Sequence, residues 1–434
     1  MARKMRDSGV EWIGEVPEGW EVNLIGTFYS QRSEKVSDTD YAPLSVTMKG
    51  VLPQLATVAK TDDGDNRKLV KKGDFAINSR SDRRGSCGIS EYDGSVSLIN
   101  TILMPRGEMD PRYYNWLFHT EAFADEFYKW GHGIVDDLWT TRWSEMKRIQ
   151  IVAPPLPEQR RIADYLDEKC AAIDGAVDEL KRGIEDYKAW KKAIIFEAVT
   201  GKRRFNAEKR GEEAEKMKPS GIPWIGEIPE GWRVMRLKHL IGILPGYAFK
   251  SEDFNFSNGI RLLRGINVGV DSLRWDECVY WDRVISEDLD RYQIQAGDLI
   301  VGLDRPWIEE GTRVCFAKKE DLPCLLVQRV CRIRTLGEMD LRIINYWLSS
   351  EAFERALACD TTGVSVPHIS PYQIMEFRIT LPSLPEQRAI ADYLDKKCAA
   401  IDAMVTEKES LIADLEAYKK SLIFELVTGK REVA

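Results

Sequence analysis

The chain has 434 residues, with 62 Lys and Arg against 70 Asp and Glu, a net charge of −8. That balance argues against a histone-like or polybasic nucleic-acid binder, although net charge sums over a whole surface while a binding face is local. An apolar content of 44% with 13 Trp excludes disorder, and no run approaches the roughly 20 apolar residues of a membrane span.

The N-terminus, Met1-Ala2-Arg3-Lys4-Met5-Arg6-Asp7, has no apolar stretch behind it, so a cytoplasmic location is expected rather than secretion. Next, Ser8–Trp20 reads SGVEWIGEVPEGW, and this motif returns at Ser220–Trp232 as SGIPWIGEIPEGW, ten of 13 positions being identical at an offset of 212. Residues 21–155 then mix strand-like and helical runs. Gly73-Asp74 before Phe75-Ala76-Ile77 reads as a turn into a buried strand, Thr101-Ile102-Leu103-Met104 as a strand and Arg112–Lys129 as an amphipathic helix with Trp116 and Leu117 on its apolar face. The aromatics here are expected in the core rather than as base-stacking platforms. The stretch Arg67–Arg84 is locally basic, with Arg67, Lys68, Lys71, Lys72, Arg80, Arg83 and Arg84 against Asp74 and Asp82. A charge run is usually a solvated face, but Asn78-Ser79-Arg80-Ser81-Asp82-Arg83-Arg84 directly follows a strand and offers the Asn and Arg forks that suit major-groove base edges.

From Pro157 to Thr200 no internal proline occurs. Pro157 suits a first helical turn, Glu158 sits at the positive end of the dipole, and Gly201 with Lys202 makes a C-terminal stop. Apolar residues alternate by four and three through Leu166, Cys170, Ile173, Val177, Leu180 and Ile184. The second copy, Pro385–Thr428, repeats the spacing through Leu394, Ile401, Val405, Ile412, Leu415 and Leu422, with Lys191, Lys408 and Lys419 interrupting the seam. Leu156–Lys202 and Leu384–Lys430 share 31 of 47 residues at an offset of 228. A seam this long needs a partner helix, and the simplest partner for each is the other. Duplication favours antiparallel pairing; a parallel pair, or two helices lying separately on their own modules, remain the alternatives.

The second module, 233–383, matches the first only faintly. Gly297-Asp298 before Leu299-Ile300-Val301 repeats the turn into a strand, Leu341–Leu357 the amphipathic helix with Trp347 and Leu348, and Glu351-Ala352-Phe353 echoes Glu121-Ala122-Phe123. Arg305–Arg334 is its weaker basic stretch, and the candidate DNA contacts in this module are Arg264, Asn267, Arg305 and Arg313. The organisation expected is a first module at 1–155, a helix at 156–201, a charged linker at 202–219, a second module at 220–383, a helix at 384–429 and a tail at 430–434. The fold class is α+β: two mixed α/β modules joined by two long helices in an antiparallel coiled coil.

The eight cysteines form no CxxC pair and only four histidines are present, so no metal site is expected and the thiols read as free and reduced. There is no GxxxxGK[ST], HExxH or GxSxG. Gly131-His132-Gly133 is a lone GxG, and Ala153-Pro154-Pro155-Leu156 lacks the polar and aromatic residues of an amino-methyltransferase motif. No catalytic residue is assigned.

Two variable modules, each opened by W-I-G-E-x-P-E-G-W and closed by a helix starting L-P-E-Q, resemble the DNA-specificity subunit of type I restriction–modification systems. The motifs fall at Trp12–Trp20 and Pro155–Gln159, then at Trp224–Trp232 and Pro382–Gln387, with Ser383 where the first copy has Pro155. The resemblance implies that each module reads one half of a bipartite double-stranded DNA site. The helices would then space the modules and dock two modification subunits that use S-adenosylmethionine to methylate adenine N6. Restriction subunits would add ATP- and Mg-dependent translocation and cleavage, and this chain itself would bind no cofactor. A protein–protein scaffold organising two modules without DNA is the alternative.

Overall fold

The computed structural model describes residues 3–54, 64–133, 139–203, 216–308, 311–358 and 368–433; most of the expected linker at 202–219 lies outside them. The chain divides into two compact units, residues 1–181 with 408–434, and residues 182–407. Each unit holds one module, the first half of the long helix that follows it, and the second half of the other long helix.

In the first unit the strands β1 (Tyr29–Arg32), β2 (Phe75–Asn78), β3 (Cys87–Ile89) and β4 (Asn100–Pro105) form an antiparallel sheet of order β3-β2-β4-β1. Ile77 lies opposite Cys87 on one side and Thr101 on the other. Strand β2 is buried on both faces, so it reads as a continuous apolar run rather than an alternating one. In the second unit β5 (Ile241–Pro245), β6 (Leu299–Gly302), β7 (Val314–Phe316) and β8 (Val330–Thr335) take the same order, β7-β6-β8-β5. Both turns before the central strands need a left-handed residue, and both have Gly there, Gly73 at φ 88° and Gly297 at φ 92°. The small sheets beside them differ. Residues 67–70 pair antiparallel with 94–96, whereas 260–263 run parallel to 324–326.

Each expected amphipathic helix is broken into two. Pro111–Phe118 ends at His119, and Thr120 caps Glu121–Lys129 through Oγ1, which accepts from Phe123 N at 3.2 Å. Leu341–Leu348 and Glu351–Ala358 repeat the break. Periodicity alone missed this, because both halves keep one apolar face and only Thr120, as a cap, and Ser350, at the same place in the second module, mark the division. The aromatics pack as core: Trp20, Tyr29, Tyr113, Tyr114, Phe75, Phe118 and Phe123 in the first unit, and Trp347 and Phe353 in the second, are fully buried. Burial also pushes the Cys315, Cys324 and Cys331 thiols up to about 12, as expected of small apolar fillers.

The ends of each module are brought together before the helix begins. Glu21–Leu24 pairs with Gln150–Ala153, and Arg233–Arg236 with Arg378–Leu381. The long helices are α1 (Leu156–Val199) and α2 (Leu384–Val427), each of 44 residues. All the seam residues read from the sequence are buried or half-buried: Leu166, Val177, Ile184, Leu394, Ile401 and Leu422 are buried, and Ile173, Leu180, Val405, Ile412 and Leu415 half-buried.

Within the first unit the pairing is antiparallel. Trp20 touches both the start of α1, donating from Nε1 to Glu158 Oε2 at 2.9 Å, and the end of α2, where it packs on Gly429. Further along, Asp174 of α1 accepts from Lys419 Nζ of α2 at 2.6 and 2.7 Å. As α1 advances, α2 retreats. The second unit repeats this, with Trp232 donating to Glu386 at 3.1 Å and packing on Gly201, and Lys191 reaching Asp402 at 2.8 and 2.9 Å. Lys191 and Lys419, and Asp174 and Asp402, are equivalent positions at the offset of 228. Two of the three lysines that interrupt the apolar spacing, Lys191 and Lys419, are thus matched to a carboxylate on the facing helix, once in each unit.

Candidate nucleic-acid interface

Both modules build one exit loop in the same way. In the first, the chain leaves β2 at Asn78, and Ser79 is held on two sides, its N–H donating to Ile99 O at 3.1 Å and its carbonyl accepting from Thr141 N at 3.0 Å. Arg80 pairs antiparallel with Thr140, and Ser81–Arg83 closes a 3₁₀ turn. In the second, Leu303 N donates to Arg329 O at 2.9 Å, Leu303 O accepts from Ile369 N at 2.9 Å, and Asp304 pairs with His368. The backbone frame is shared, and the side chains on it are not.

The candidate residues fall into three groups. Lys71, Lys72, Arg83, Arg84 and Arg305 are exposed and Arg80 is half-exposed. Lys72 faces Glu91 at 3.3 Å and Arg83 faces Asp82 at 3.7 Å, while Arg84 is tied to Asp125 and lies over the Tyr128 ring. Arg80, Arg83, Arg84 and Arg305 are brought to the exit loops, where guanidinium forks are of the kind suited to phosphate oxygens and base edges.

Lys68, Arg264 and Arg313 are half-buried and bonded to backbone carbonyls. Lys68 Nζ donates to Asn100 O at 2.6 Å, Arg264 to Glu277 O at 3.0 Å, and Arg313 to Val268 O at 2.7 Å and Asp304 O at 2.9 Å. Burial pushes the Lys68 ammonium below its ordinary value, so this lysine stiffens the module from within.

Arg67, Asn78 and Asn267 are corrected: all three are buried. Arg67 donates to Ser95 Oγ at 2.9 Å and Ser95 O at 3.0 Å. Asn78 Oδ1 accepts from Arg80 N at 3.0 Å and so shapes the loop. Asn267 accepts from Arg264 N at 3.1 Å and donates to Arg274 O and Glu277 O. Charge and amide content cannot tell which side chains turn inward, because that is a tertiary property.

The sequence reading missed Asp304, Arg329 and His368. Asp304 Oδ1 accepts from His368 Nδ1 at 2.7 Å and from Arg329 NH1 at 3.3 Å. Arg305 and Arg329 both hold left-handed backbone, at φ 43° and 70°, a cost of order 1–3 kcal/mol each that clusters at functional positions. Aligning Gly73 with Gly297 pairs Arg80 with Asp304, but Ile99 and Arg329 are separated by a different offset, so the faint similarity hides their equivalence.

The repeated motifs are junctions between helix and module. Glu158 also takes a bidentate contact from Arg3, at 2.6 and 3.0 Å. Gln159 Oε1 accepts from Asp110 N at 2.9 Å while Nε2 donates to Pro154 O at 2.8 Å, and Gln387 does the same to Asp340 N and Pro382 O, both at 3.0 Å. Arg112 spans Asp110, Asp164 and Asp167, and Arg342 spans Asp340, Asp392 and Asp395. Among the described residues no cluster of His, Cys, Asp or Glu could hold a metal ion, and no helix is long and apolar enough to cross a membrane.

Residues 229–412 match a family model described as the type I restriction modification DNA specificity domain. Over 434 aligned residues the chain is 28% identical to the type I restriction enzyme MjaVIII specificity subunit of Methanocaldococcus jannaschii, covering 96% of this chain and 94% of that one. Over 171 residues it is 34% identical to the EcoAI specificity subunit of Escherichia coli, covering 39% of this chain and 29% of that one. A solved structure from work on complex assembly and conformational transition of the type I R-M system superposes with a TM-score of 0.72 at 16% identity, covering 96% of this chain and 99% of that one. The crystal structure of the HsdS subunit from Thermoanaerobacter tengcongensis gives 0.50 at 17% identity, over 96% and 98%. At such identities the likeness of structure speaks for the fold alone.

Proposed function

From a chain that belongs to the DNA-specificity subunits of type I restriction–modification systems, we propose a division of labour in which each module reads one half of a bipartite site. The observation that carries this is one exit-loop frame built twice with different side chains, Arg80 and Thr140 in one copy, Asp304 and His368 in the other. Two identical modules would read the same half-site twice. Different side chains on one frame suit two different half-sites. The long helices act as a ruler that fixes half-site separation, as dimer geometry fixes operator spacing. Their near-identical ends offer the same docking surface twice, which fits two modification subunits.

Methylation of adenine N6 with S-adenosylmethionine belongs to those partners, and ATP- and Mg-dependent work to restriction subunits where they are present. A structural relative's study concerns complex assembly in a type I system, which supports the same arrangement here. In this reading the chain is non-catalytic and works on double-stranded DNA in the cytoplasm. The test is the salt dependence of DNA affinity of the assembled complex. Phosphate contacts give a linear fall of log K with log salt, and an affinity independent of salt would reject DNA recognition in favour of a protein scaffold.

A further inference from the structure

We propose that Arg329, held by Asp304 beside His368, reads a guanine in the half-site served by the second module. This rests on the bipartite reading above and names the residues that give one half its specificity. The argument starts from the shared frame. Ser79 and Leu303 occupy the same place, each donating to a residue just before the neighbouring strand, Ile99 in one module and Arg329 in the other. Each also accepts from the segment returning across the loop, at Thr141 and Ile369. Three positions on this frame therefore correspond: Arg80, Ile99 and Thr140 against Asp304, Arg329 and His368. Positions that keep their backbone and change their chemistry are where two readers of different sequences should differ.

The second set is organised for recognition. The Asp304 carboxylate takes Arg329 NH1 at 3.3 Å and His368 Nδ1 at 2.7 Å. Among the described residues, that leaves the Nε and NH2 donors of Arg329, one complete edge of the guanidinium, for a bidentate contact. Guanine O6 and N7 in the major groove present the two acceptors that match it. Arg329 is 58% exposed and His368 39%, so both reach solvent while their orientation is fixed. Arg329 also keeps a left-handed backbone, φ 70°, where glycine would rest without strain. An arginine retained at a position that favours glycine is explained by what its side chain does.

The test uses the full chain expressed with a modification subunit, with methylated bases sequenced across a genome. Arg329→Gly removes the guanidinium and relieves the backbone, so its thermal midpoint is expected at or above the wild-type value. Preference for guanine at one position of one half-site is expected to fall about 10- to 100-fold, with the other half-site and the spacing unchanged. Asp304→Asn, which keeps the side-chain volume, should weaken the preference at that same position. It carries the test should the glycine variant not fold. A split motif that both variants leave unchanged overturns the role of Arg329. A wild-type motif that is not split overturns the bipartite reading itself.

Discussion

Trp20 and Trp232 show why two motifs more than a hundred residues apart recur together. Each closes a W-I-G-E-x-P-E-G-W segment, donates to the Glu that opens one long helix and covers the Gly that ends the other. A side chain at Gly429 would run into the Pro17 ring and the backbone there is left-handed, φ 75°. Gly429→Ala should therefore cost about 1–3 kcal/mol, measured by thermal or urea unfolding. Gly9, also left-handed at φ 74° but with open space around it, is the control: Gly9→Ala should cost less because only the backbone resists. In the first exit loop, Arg83→Ala should cost roughly 1–3 kcal/mol of DNA affinity and relax one half-site if it contacts a base. Equal weakening on every sequence would mark it as a phosphate contact. The composition pointed to this loop. It could not separate exposed Arg83, on a 3₁₀ turn, from Arg67, buried in the strand at 67–70, because both read only as basic residues in one stretch.

The long helices were the most legible elements in the chain, since proline-free length, cap residues and three–four spacing all agree. What the spacing could not explain was a lysine in each seam. Burial lowers the Lys191 pKa, but the Asp402 hydrogen bond and the Asp271 and Asp402 charges outweigh it and hold the ammonium above the ordinary lysine value of 10.5. A raised folded-state pKa means that the contribution is complete below the unfolded value and lost as pH rises through the folded one. Wild type should therefore lose about 1 kcal/mol of stability on going to alkaline pH above that range, and Lys191→Met should lack this component of the pH profile. In the proposed function the same helices act as the ruler. One heptad added to both should lengthen the spacer by roughly 10 Å, or about three base pairs at 3.4 Å each. Unchanged spacing in the methylated motif would reject that role. The modules were less legible, because their helices are broken by a single capping residue and their small sheets pair differently in the two copies.

At the scale of the molecule, the net charge of −8 is unevenly placed. Residues 157–200 carry 8 basic and 10 acidic groups and residues 385–428 carry 6 and 9, so the two helices are acidic along their length while each module keeps a basic stretch. The acidity is thus compatible with DNA on the exit loops and with partner subunits supplying much of the phosphate grip. Duplication was readable from self-similarity alone, whereas the equivalence of the exit loops needed the backbone, because hydrogen-bonded position outlasts sequence identity. The central claim, that each module independently specifies one half-site, is tested most directly by replacing residues 21–155 with those of another specificity subunit and sequencing the methylated bases. The account predicts a motif changed in one half, with the other half and the spacing retained; a motif unchanged in both halves would contradict it.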